Sequence, residues 1–371
     1  MDRGWHHWRH NRLAQLAALV LLLLYATSAG AEFVAPYGST DLQRNGSLLP
    51  PTQMYWRSPA GEWLGPHVYP TMQGPVDLET GDRPLEIDFS RPTPVRLLVK
   101  GRPYRWLGLI PGERHLFGTV AAASDEALPA YVNLLGTDDQ GRDYFSRLAY
   151  GSRVSLFVGI VGIAISFPIG LLIGGISGYF AGAVDVVLMR LAEVVMSIPT
   201  LYLLVALAAV LQTNPFTGVP FSNSERFVTI VGITGFASWA GLARVIRGQV
   251  LALRDRTFVQ AARAAGAGTP HILLRHVLPQ TATYVIISAT LTAPSFIVAE
   301  SVLSLIGLGI QQPDASWGNM LSLATNASVM VLQPWLIVPP TLLVMMTVLS
   351  FNILGDSLRD ALDPRDRVQT P

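Results

Sequence analysis

The sequence predicts an all-α polytopic membrane protein with six transmembrane helices and a small β-rich insert on the exported side. Two observations support this fold class. Half of the 371 residues are hydrophobic and only 14% are charged, whereas about a quarter of a typical soluble domain is charged. In addition, six apolar runs are long enough to cross a hydrocarbon core about 30 Å thick.

The composition also excludes several kinds of chemistry. Because the chain has no cysteine, it cannot form a disulfide, a cysteine-ligated metal centre or a thiol nucleophile. The single lysine, Lys100, follows Val99, so the Gly-Lys-Ser/Thr core of a nucleotide-binding P-loop is missing. A net charge of +1 provides no basic field for nucleic acid. We find no Ser/His/Asp order and no HExxH motif, so we expect no metal site and no catalysis in this chain.

The N-terminus combines a basic tail, residues 1–12, with an apolar run, residues 13–31. The run is long enough for a retained first transmembrane helix, which we favour. Its Leu-rich centre and the small residues Ala29–Ala31 also fit a cleaved signal peptide. Under both interpretations the basic end stays in the cytoplasm and the next segment is exported. Three histidines in the tail could suggest a metal site, although a solvated tail is the simpler interpretation; they are His6, His7 and His10.

The exported segment, residues 32–135, is rich in proline, glycine and aromatic residues and contains no spanning run. Residues 94–110 predict a β-hairpin, because apolar residues alternate along Val95–Val99 and Lys100–Gly101 can form the turn. Pro103 places the second strand at an edge, since proline cannot donate to a strand ladder. We therefore expect a small β-rich insert, with a long irregular loop as the alternative.

Residues 136–355 form the predicted core domain, which contains the other five spans. These spans are residues 152–180, 186–211, 227–248, 284–310 and 334–355. Gly170, Gly174 and Gly178 recur every four residues, a spacing that allows a neighbouring helix to approach closely. At the inner end of the third span, Asp185 and Arg190 are expected to face the membrane interface.

The arginines predict the orientation of the spans. Six of them lie between the fourth and fifth spans or close to that loop: Arg244, Arg247, Arg254, Arg256, Arg263 and Arg275. Three more lie in the C-terminal tail, residues 356–371, whereas the two short loops on the opposite side share one basic residue, Arg226. Since short cytoplasmic loops carry the excess of basic residues, both termini and the loop 254–279 are predicted to be cytoplasmic.

The loop 254–279 has a predicted structure of its own. Thr257–Ala265 is rich in alanine and helical by propensity. A break follows at Gly266, after which Thr269–Pro270 suits the N-cap and first turn of a second short helix that ends before Pro279. The small residues would hold lipid poorly but pack closely on protein. We therefore favour docking of this loop to a cytoplasmic protein over an amphipathic hairpin on lipid.

The same loop resembles the EAA loop of ABC-importer permeases, in which Glu-Ala-Ala, three residues, Gly, nine residues and Ile-x-Leu-Pro follow one another. The spacing fits throughout, with Gln260 in place of Glu and His276 in place of Ile. The resemblance assigns coupling to Gln260, Ala261, Ala262, Arg263, Gly266, His276, Leu278 and Pro279.

Three further segments resemble the C-type permease of the oligopeptide, dipeptide and nickel branch of that family. They are residues 134–156, 300–321 and 351–365. The first contains the Gly-Thr-Asp-x-x-Gly-Arg-Asp motif, formed here by Gly136, Thr137, Asp138, Gly141, Arg142 and Asp143. The exported segment is longer than in ordinary members, so the resemblance gives it no role.

The resemblance implies a type I ABC-importer permease fold in a bacterial inner membrane. Such a chain pairs with a second, B-type permease, two ATPase subunits that bind ATP and Mg, and a periplasmic solute-binding protein. It contacts lipid and needs no cofactor of its own. The EAA loop would form a coupling helix in a groove of the ATPase and would swing the spans between inward- and outward-facing states. Peptides are the expected substrate. The alternatives are nickel chelates or glycosides, a non-transporting scaffold or sensor, and an exporter.

Two groups of acidic or polar residues leave alternatives open. Asp138, Asp139 and Asp143 could form a cation site, but the spacing of a calcium loop is absent and neighbouring arginines can neutralise them, so we favour a structural cap outside the membrane. Glu300 lies within a predicted span, where a carboxylate is a functional candidate by default. Ser301 and Ser304 could share its hydrogen bonds. Contact with the translocation pathway and internal helix packing are both possible, and we favour packing.

Overall fold

The structure is a computed structural model that describes residues 11–75, 84–119, 130–199, 202–203, 205–206, 213 and 218–362. The chain divides into two compact units, each described by itself below. The helical unit contains Met1–Leu22, Leu156–Leu303 and Met345–Pro371. The mixed unit contains Leu23–Ser155 and Ser304–Val344.

The helices carry the following labels. They are α1 (Arg12–Ala29), α2 (Ala31–Val34), α3 (Tyr144–Phe180), α4 (Gly182–Ser197), α5 (Asn223–Leu253), α6 (Thr257–Ala264), α7 (Thr269–Ile272), α8 (Ala282–Leu305), α9 (Trp317–Leu321), α10 (Ala327–Leu332) and α11 (Val338–Leu362). Short 3₁₀ turns at Ser322–Thr325 and Pro334–Leu336 join the last three helices.

Five helical segments in the described part of the chain are long and apolar enough to cross a membrane. They are Arg12–Ala29, Tyr144–Phe180, Asn223–Leu253, Thr269–Leu305 and Pro334–Leu362. Each coincides with a predicted span. The remaining predicted span is the third in chain order, residues 186–211. It begins inside α4, and most of its second half lies outside the described residues. The count of six therefore stays a prediction.

Within the helical unit, α3 packs closely against α5 along the predicted glycine stripe. A Cβ at Gly170 would lie 3.0 Å from the Trp239 carbonyl oxygen, and one at Gly178 would lie 2.6 Å from the Arg247 carbonyl oxygen. At Gly174 a Cβ would overlap the carbonyl oxygen of Ala243. The prediction of close helix packing at these glycines is confirmed, because no larger residue fits between the two backbones.

The largest apolar core of the helical unit joins four elements. Its buried side chains are Phe167, Tyr179, Leu242, Ile246, Val250, Val259, Ile272, Leu273 and Val277. They come from α3, α5, α6 and the segment that begins with α7. The loop between the fourth and fifth spans is thus part of this core rather than a free connection.

The segment from Thr269 to Leu305 differs from the prediction of a short helix that stops before Pro279. It stays helical throughout, passing from α7 through a π-helical turn, Leu273–Val277, and a 3₁₀ turn, Leu278–Thr281, into α8. Proline lacks an N–H and clashes with the carbonyl four residues earlier in a regular α-helix. The two irregular turns relieve this conflict. The N-cap of α7 is Gly268 rather than Thr269.

The mixed unit contains six strands within its described residues. They are β1 (Tyr55–Arg57), β2 (Trp63–Val68), β3 (Thr71–Gln73), β4 (Leu85–Ile87), β5 (Thr93–Trp106) and β6 (Ile110–Thr119). An antiparallel sheet has the order β1-β2-β5-β6, and β3 pairs with β4. A small apolar core of Val68, Ala130 and Val132 lies beside this sheet.

The predicted hairpin exists, but its turn lies elsewhere. The strands β5 and β6 reverse at Leu107–Leu109, where Leu107 and Gly108 have φ of 49° and 76°. Hydrogen bonds from Gly108 N to Arg105 O and from Leu109 N to Trp106 O, at 3.0 and 2.9 Å, close the turn. Lys100–Gly101, the predicted turn, lies inside β5, where Lys100 pairs with Arg114. Pro103 sits at a register shift between Lys100 and Tyr104 rather than in a second strand.

Candidate functional site

The candidate coupling segment consists of α6, a sharp reversal at Gly266 and α7. Gly266 has φ of 83°. Its N–H donates to Arg263 O at 2.9 Å, and the next N–H, from Ala267, donates to Ala262 O at 3.0 Å. These two bonds form a Schellman motif, which needs a left-handed residue at the position of Gly266. The predicted break in the helix therefore has a defined geometry.

One face of α6 packs on the helical unit and the other is open in this chain. Val259 is fully buried in the apolar core described above. The exposed residues of α6 and of the reversal are Thr257, Phe258, Gln260, Ala261, Arg263, Ala264, Ala265 and Gly266, while Ala262 is half-buried. Four of these eight exposed residues are alanine or glycine, so another backbone or side chain can approach that part of the face closely.

Arg263 links α6 to the end of α3. Its Nε donates to the hydroxyl of Tyr179 at 3.1 Å, and its guanidinium carbon lies 5.1 Å from the centre of the Tyr179 ring. The contact thus combines a hydrogen bond with a cation–π interaction. Sequence reasoning missed Tyr179, since 84 residues separate the two partners and no motif joins them.

The remaining residues assigned to coupling have local roles in the structure. Gln260 Nε2 donates to the backbone oxygen of Asp255 at 3.1 Å. The exposed carboxylate of Asp255 lies 3.2 Å from Nε of Arg254. His276 lies with its ring centre 5.5 Å from that of His271. Leu278 and Pro279 occupy the 3₁₀ turn, with Leu278 half-buried and Pro279 exposed.

In the mixed unit, the Gly136–Asp143 motif folds against an upstream loop. A Cβ on Gly136 would overlap the carbonyl oxygen of Leu49, and Gly136 has φ of 73°. The hydroxyl of Thr137 accepts from Leu49 N at 2.8 Å and donates to the carbonyl oxygen of Gly46. At Gly141, φ is 81°. The motif therefore holds the upstream chain next to the start of α3.

Asp138 is neutralised by two buried arginines. Its carboxylate accepts from Arg142 Nε at 2.7 Å and from the backbone N–H groups of Gln140 and Arg142 at 3.0 and 2.9 Å. Arg147 Nε lies 3.3 Å away. Arg147 also donates from Nη1 to the carbonyl oxygen of Pro313 at 3.0 Å. In the described part of the chain, no group of three or more His, Cys, Asp or Glu residues is arranged to hold a metal.

The other two carboxylates of this motif are not placed with Asp138 as a cation site would require. Asp143 is buried and accepts from Ser146 N at 2.7 Å. Its second oxygen has no hydrogen-bond partner among the described residues. Burial raises the pKa of Asp143 to about 7. Burial and the neighbouring Asp138 charge also raise the pKa of Asp139, whose side chain is about half exposed.

The polar residues near the end of α8 are all buried. Glu300 and Ser301 belong to the helical unit and are 1% and 7% exposed. Ser304 belongs to the mixed unit, where its hydroxyl accepts from Ile310 N at 3.1 Å. Ser304 therefore stabilises the turn that follows α8.

Asp185 and Arg190 differ in burial and in their ion-pair partners, although both were expected to face the membrane interface. Asp185 is buried and pairs with Arg247 of α5. Arg190 is exposed and lies 2.7 Å from the carboxylate of Glu193 on the next helical turn. The expectation was wrong for Asp185, because a partner 62 residues away neutralises it inside the protein.

Comparison with known proteins gave two family matches. Residues 168–368 match the binding-protein-dependent transport system inner membrane component. Residues 1–51 match the N-terminal TM domain of oligopeptide transport permease C.

Individual relatives cover most of the chain. The oligopeptide transport system permease protein OppC of Haemophilus influenzae is 41% identical over 235 residues, which are 63% of this chain and 71% of that protein. The dipeptide transport system permease protein DppC of Bacillus subtilis is 40% identical over 241 residues, 64% of this chain and 71% of that protein. Among solved structures, an inward-facing conformation of the MetNI methionine ABC transporter has a TM-score of 0.46 at 18% identity, over 59% of this chain and 98% of that chain.

Proposed function

Because this chain belongs to the family of binding-protein-dependent transport system inner membrane components, we propose that it is the C-type permease subunit of an ATP-driven importer of peptides. The substrate class is supported by relatives named as oligopeptide and dipeptide permeases. The partners are a B-type permease, two ATPase subunits that bind ATP and Mg, and a periplasmic solute-binding protein. Energy then comes from ATP hydrolysed by the partner subunits.

The proposed coupling role rests on the geometry of α6 and Gly266. The open face of α6 presents small side chains to a partner, while Val259 and Arg263 fix its other contacts to α3 and to the apolar core. A movement of α6 on an ATPase subunit would therefore be transmitted directly to the helices behind it. Rigid-body movement of packed helices is a common way of linking two distant sites.

The topology follows from the distribution of arginines. We place residues 1–12, the loop 254–279 and the tail 356–371 in the cytoplasm and residues 32–135 on the periplasmic side of the bacterial inner membrane. The match of residues 1–51 to a transmembrane family model supports a first helix that is retained rather than cleaved.

The other candidate residues receive structural roles in this proposal. The Gly136–Asp143 motif acts as a cap that locks the upstream loop to the start of α3, because Asp138 has its charge balanced by Arg142 and Arg147. For Glu300, which is 1% exposed, we keep internal helix packing as the favoured role and contact with the translocation pathway as the alternative, since a carboxylate within a membrane span is costly unless it is paired or faces water.

The coupling assignment is tested by Gly266→Asp in the complete transporter. Left-handed backbone is costly for residues with a Cβ, by roughly 1–2 kcal/mol, and the new charge would face the partner. We expect loss of peptide uptake while the protein stays in the membrane at normal abundance. Gly268→Asp is the matched control: it adds the same charge two residues away, where φ is −70°. Normal uptake by the Gly266 variant would show that this segment does not couple transport to ATP hydrolysis.

A second experiment separates a transporter from a membrane scaffold or sensor. The tagged chain should co-purify with an ATPase subunit, and its peptide uptake should require a separate binding protein. A requirement for that binding protein also excludes an exporter.

A further inference from the structure

The tip of the β5–β6 hairpin, Trp106–Ile110, presents three apolar side chains that are each more than half exposed in the described part of the chain. Leu107, Leu109 and Ile110 are 54%, 82% and 56% exposed. Single exposed leucines are common on proteins, but a cluster of large apolar side chains at one tip marks a contact surface.

The turn at this tip holds a leucine in a left-handed backbone conformation. Leu107 has φ of 49° and precedes Gly108, with φ of 76°. Asn, Asp or Gly normally occupies such left-handed positions in hairpin turns, and a leucine there is strained because of its Cβ. A turn selected only for stability in water would have a polar residue here.

The hairpin tip lies beside the C-terminal end of α1. Trp106 Nε1 donates to the carbonyl oxygen of Ala29 at 2.7 Å, and Ala29 is the last residue of the candidate membrane span α1. Arg153 donates to the same carbonyl at 3.1 Å and to that of Ser28 at 2.8 Å, and forms an ion pair with Glu32. These polar and charged groups collect at the C-terminal end of the candidate span α1. Tryptophan is enriched at the membrane–water interface.

We propose that the hairpin tip is a membrane anchor, in which Leu107, Leu109 and Ile110 insert into the headgroup boundary of the leaflet from which α1 emerges. Its partner is the phospholipid surface around the protein's own first helix. Trp106 lies at the interface, and the exposed Arg105 is placed to meet lipid phosphates. The anchor holds the long hairpin, and with it the sheet, at a fixed height over the bilayer. This inference rests on α1 spanning the membrane and not on the transported solute.

The natural absence of cysteine makes a direct depth measurement possible. Leu109→Cys would be labelled with an environment-sensitive fluorophore in the full-length chain, reconstituted in vesicles of phosphatidylethanolamine and phosphatidylglycerol. The matched control is Leu97→Cys, in the same strand and 77% exposed, about 30 Å from the tip at 3.3 Å per residue. Each label would be challenged with aqueous iodide and with nitroxide-bearing lipid.

We expect the label at position 109 to be blue-shifted, quenched by the nitroxide lipid and protected from iodide at least about threefold relative to position 97. Equal iodide quenching at both positions would overturn the proposal, because the tip would then lie in water. Protection from both quenchers would also overturn it, since a protein would then cover the tip.

A second variant keeps the test independent of folding defects. Leu107→Gly removes the side chain and relieves the strained turn, so the hairpin should form at least as well as before. Combined with the label at position 109, it should increase iodide quenching and reduce quenching by the nitroxide lipid. Unchanged quenching in this variant would contradict a role for Leu107 in the membrane contact.

Discussion

Arg247 donates two hydrogen bonds to Asp185, from Nε at 2.7 Å and from Nη2 at 2.6 Å. Ser177 of α3 donates a third bond to the same carboxylate. Three helices of the helical unit, α3, α4 and α5, thus meet at one buried anion. Because Asp185 is 9% exposed, removing its partners would leave a charge in a poorly solvated position.

The first prediction concerns this pair. Asp185→Ala should lower the free energy of unfolding by about 1–3 kcal/mol, between the values for exposed and fully buried ion pairs, because Arg247 is left without its anion while remaining partly exposed. Thermal melting of the purified chain in detergent would measure the loss. Glu193→Gln is the control, since it removes the partner of exposed Arg190 and should change stability by less than about 0.5 kcal/mol. Equal losses in the two variants would argue against a special role for Asp185.

A second prediction tests the close approach of α3 and α5. Gly174→Ala should destabilise the protein by about 1–3 kcal/mol, because the new Cβ would overlap the carbonyl oxygen of Ala243 and force the helices apart. Gly248→Ala in α5 is the matched control: nothing lies within 4 Å of its Cβ position, and alanine favours helix by about 0.8–1.0 kcal/mol over glycine. The melting temperature should therefore fall for Gly174→Ala and rise for Gly248→Ala. A neutral Gly174 variant would mean that the helices pack less closely than described.

The membrane core was predictable because lipid imposes long apolar runs, and each of the five described candidate spans coincides with a predicted one. The glycine stripe was predictable for a related reason, since a four-residue repeat marks one face of a helix. Local turn chemistry predicted the break at Gly266, which indeed has a left-handed backbone.

The contacts between distant residues could not be predicted in this way. The sequence around Asp185 does not identify Arg247 as its partner, and the sequence around Arg263 does not identify Tyr179. Both pairs form only when separate helices pack together. The hairpin turn was misplaced since Lys100–Gly101 has ordinary turn chemistry, whereas the observed turn places a leucine at φ of 49°, which propensities disfavour. At Gln260 the structure adds a partner, the backbone oxygen of Asp255.

The third prediction is a pH dependence from Asp143. Burial raises its pKa from 3.8 to about 7 in the folded chain, so the folded state holds this proton more tightly than the unfolded state. Its contribution to stability is fully present below about pH 4 and is lost as the pH rises towards 7. The slope reaches at most about 1.4 kcal/mol per pH unit.

Asp143→Asn should remove this component, because the amide oxygen can still accept from Ser146 N but cannot ionise. Melting temperatures of the wild type and the variant, measured from pH 5 to pH 8, should therefore diverge as the pH rises, with the variant keeping more of its stability. Asp88→Asn is the control: hydrogen bonds from Ser90 lower the pKa of that exposed carboxyl, so it does not titrate in this range. Parallel curves for wild type and Asp143→Asn would contradict the assignment.

The last prediction concerns the link between the coupling segment and α3. Tyr179→Phe removes the hydrogen bond to Arg263 but keeps an aromatic face for its guanidinium, whereas Tyr179→Leu removes both interactions. A hydrogen bond to a charged group contributes about 1.5–3 kcal/mol and an exposed cation–π contact about 0.5–1 kcal/mol. If α6 transmits movement to α3 through this contact, the number of peptides moved per ATP hydrolysed should fall in the order wild type, Phe, Leu. Phe180→Leu is the matched control, because Phe180 is the next residue in α3 and its side chain is 56% exposed. The rate of peptide transport and the rate of ATP hydrolysis would both be measured with the transporter reconstituted together with all its partners. An equal fall for Phe180→Leu and Tyr179→Leu would mean that the end of α3 matters only for general packing, and that α6 moves the spans through Val259 and the apolar core alone.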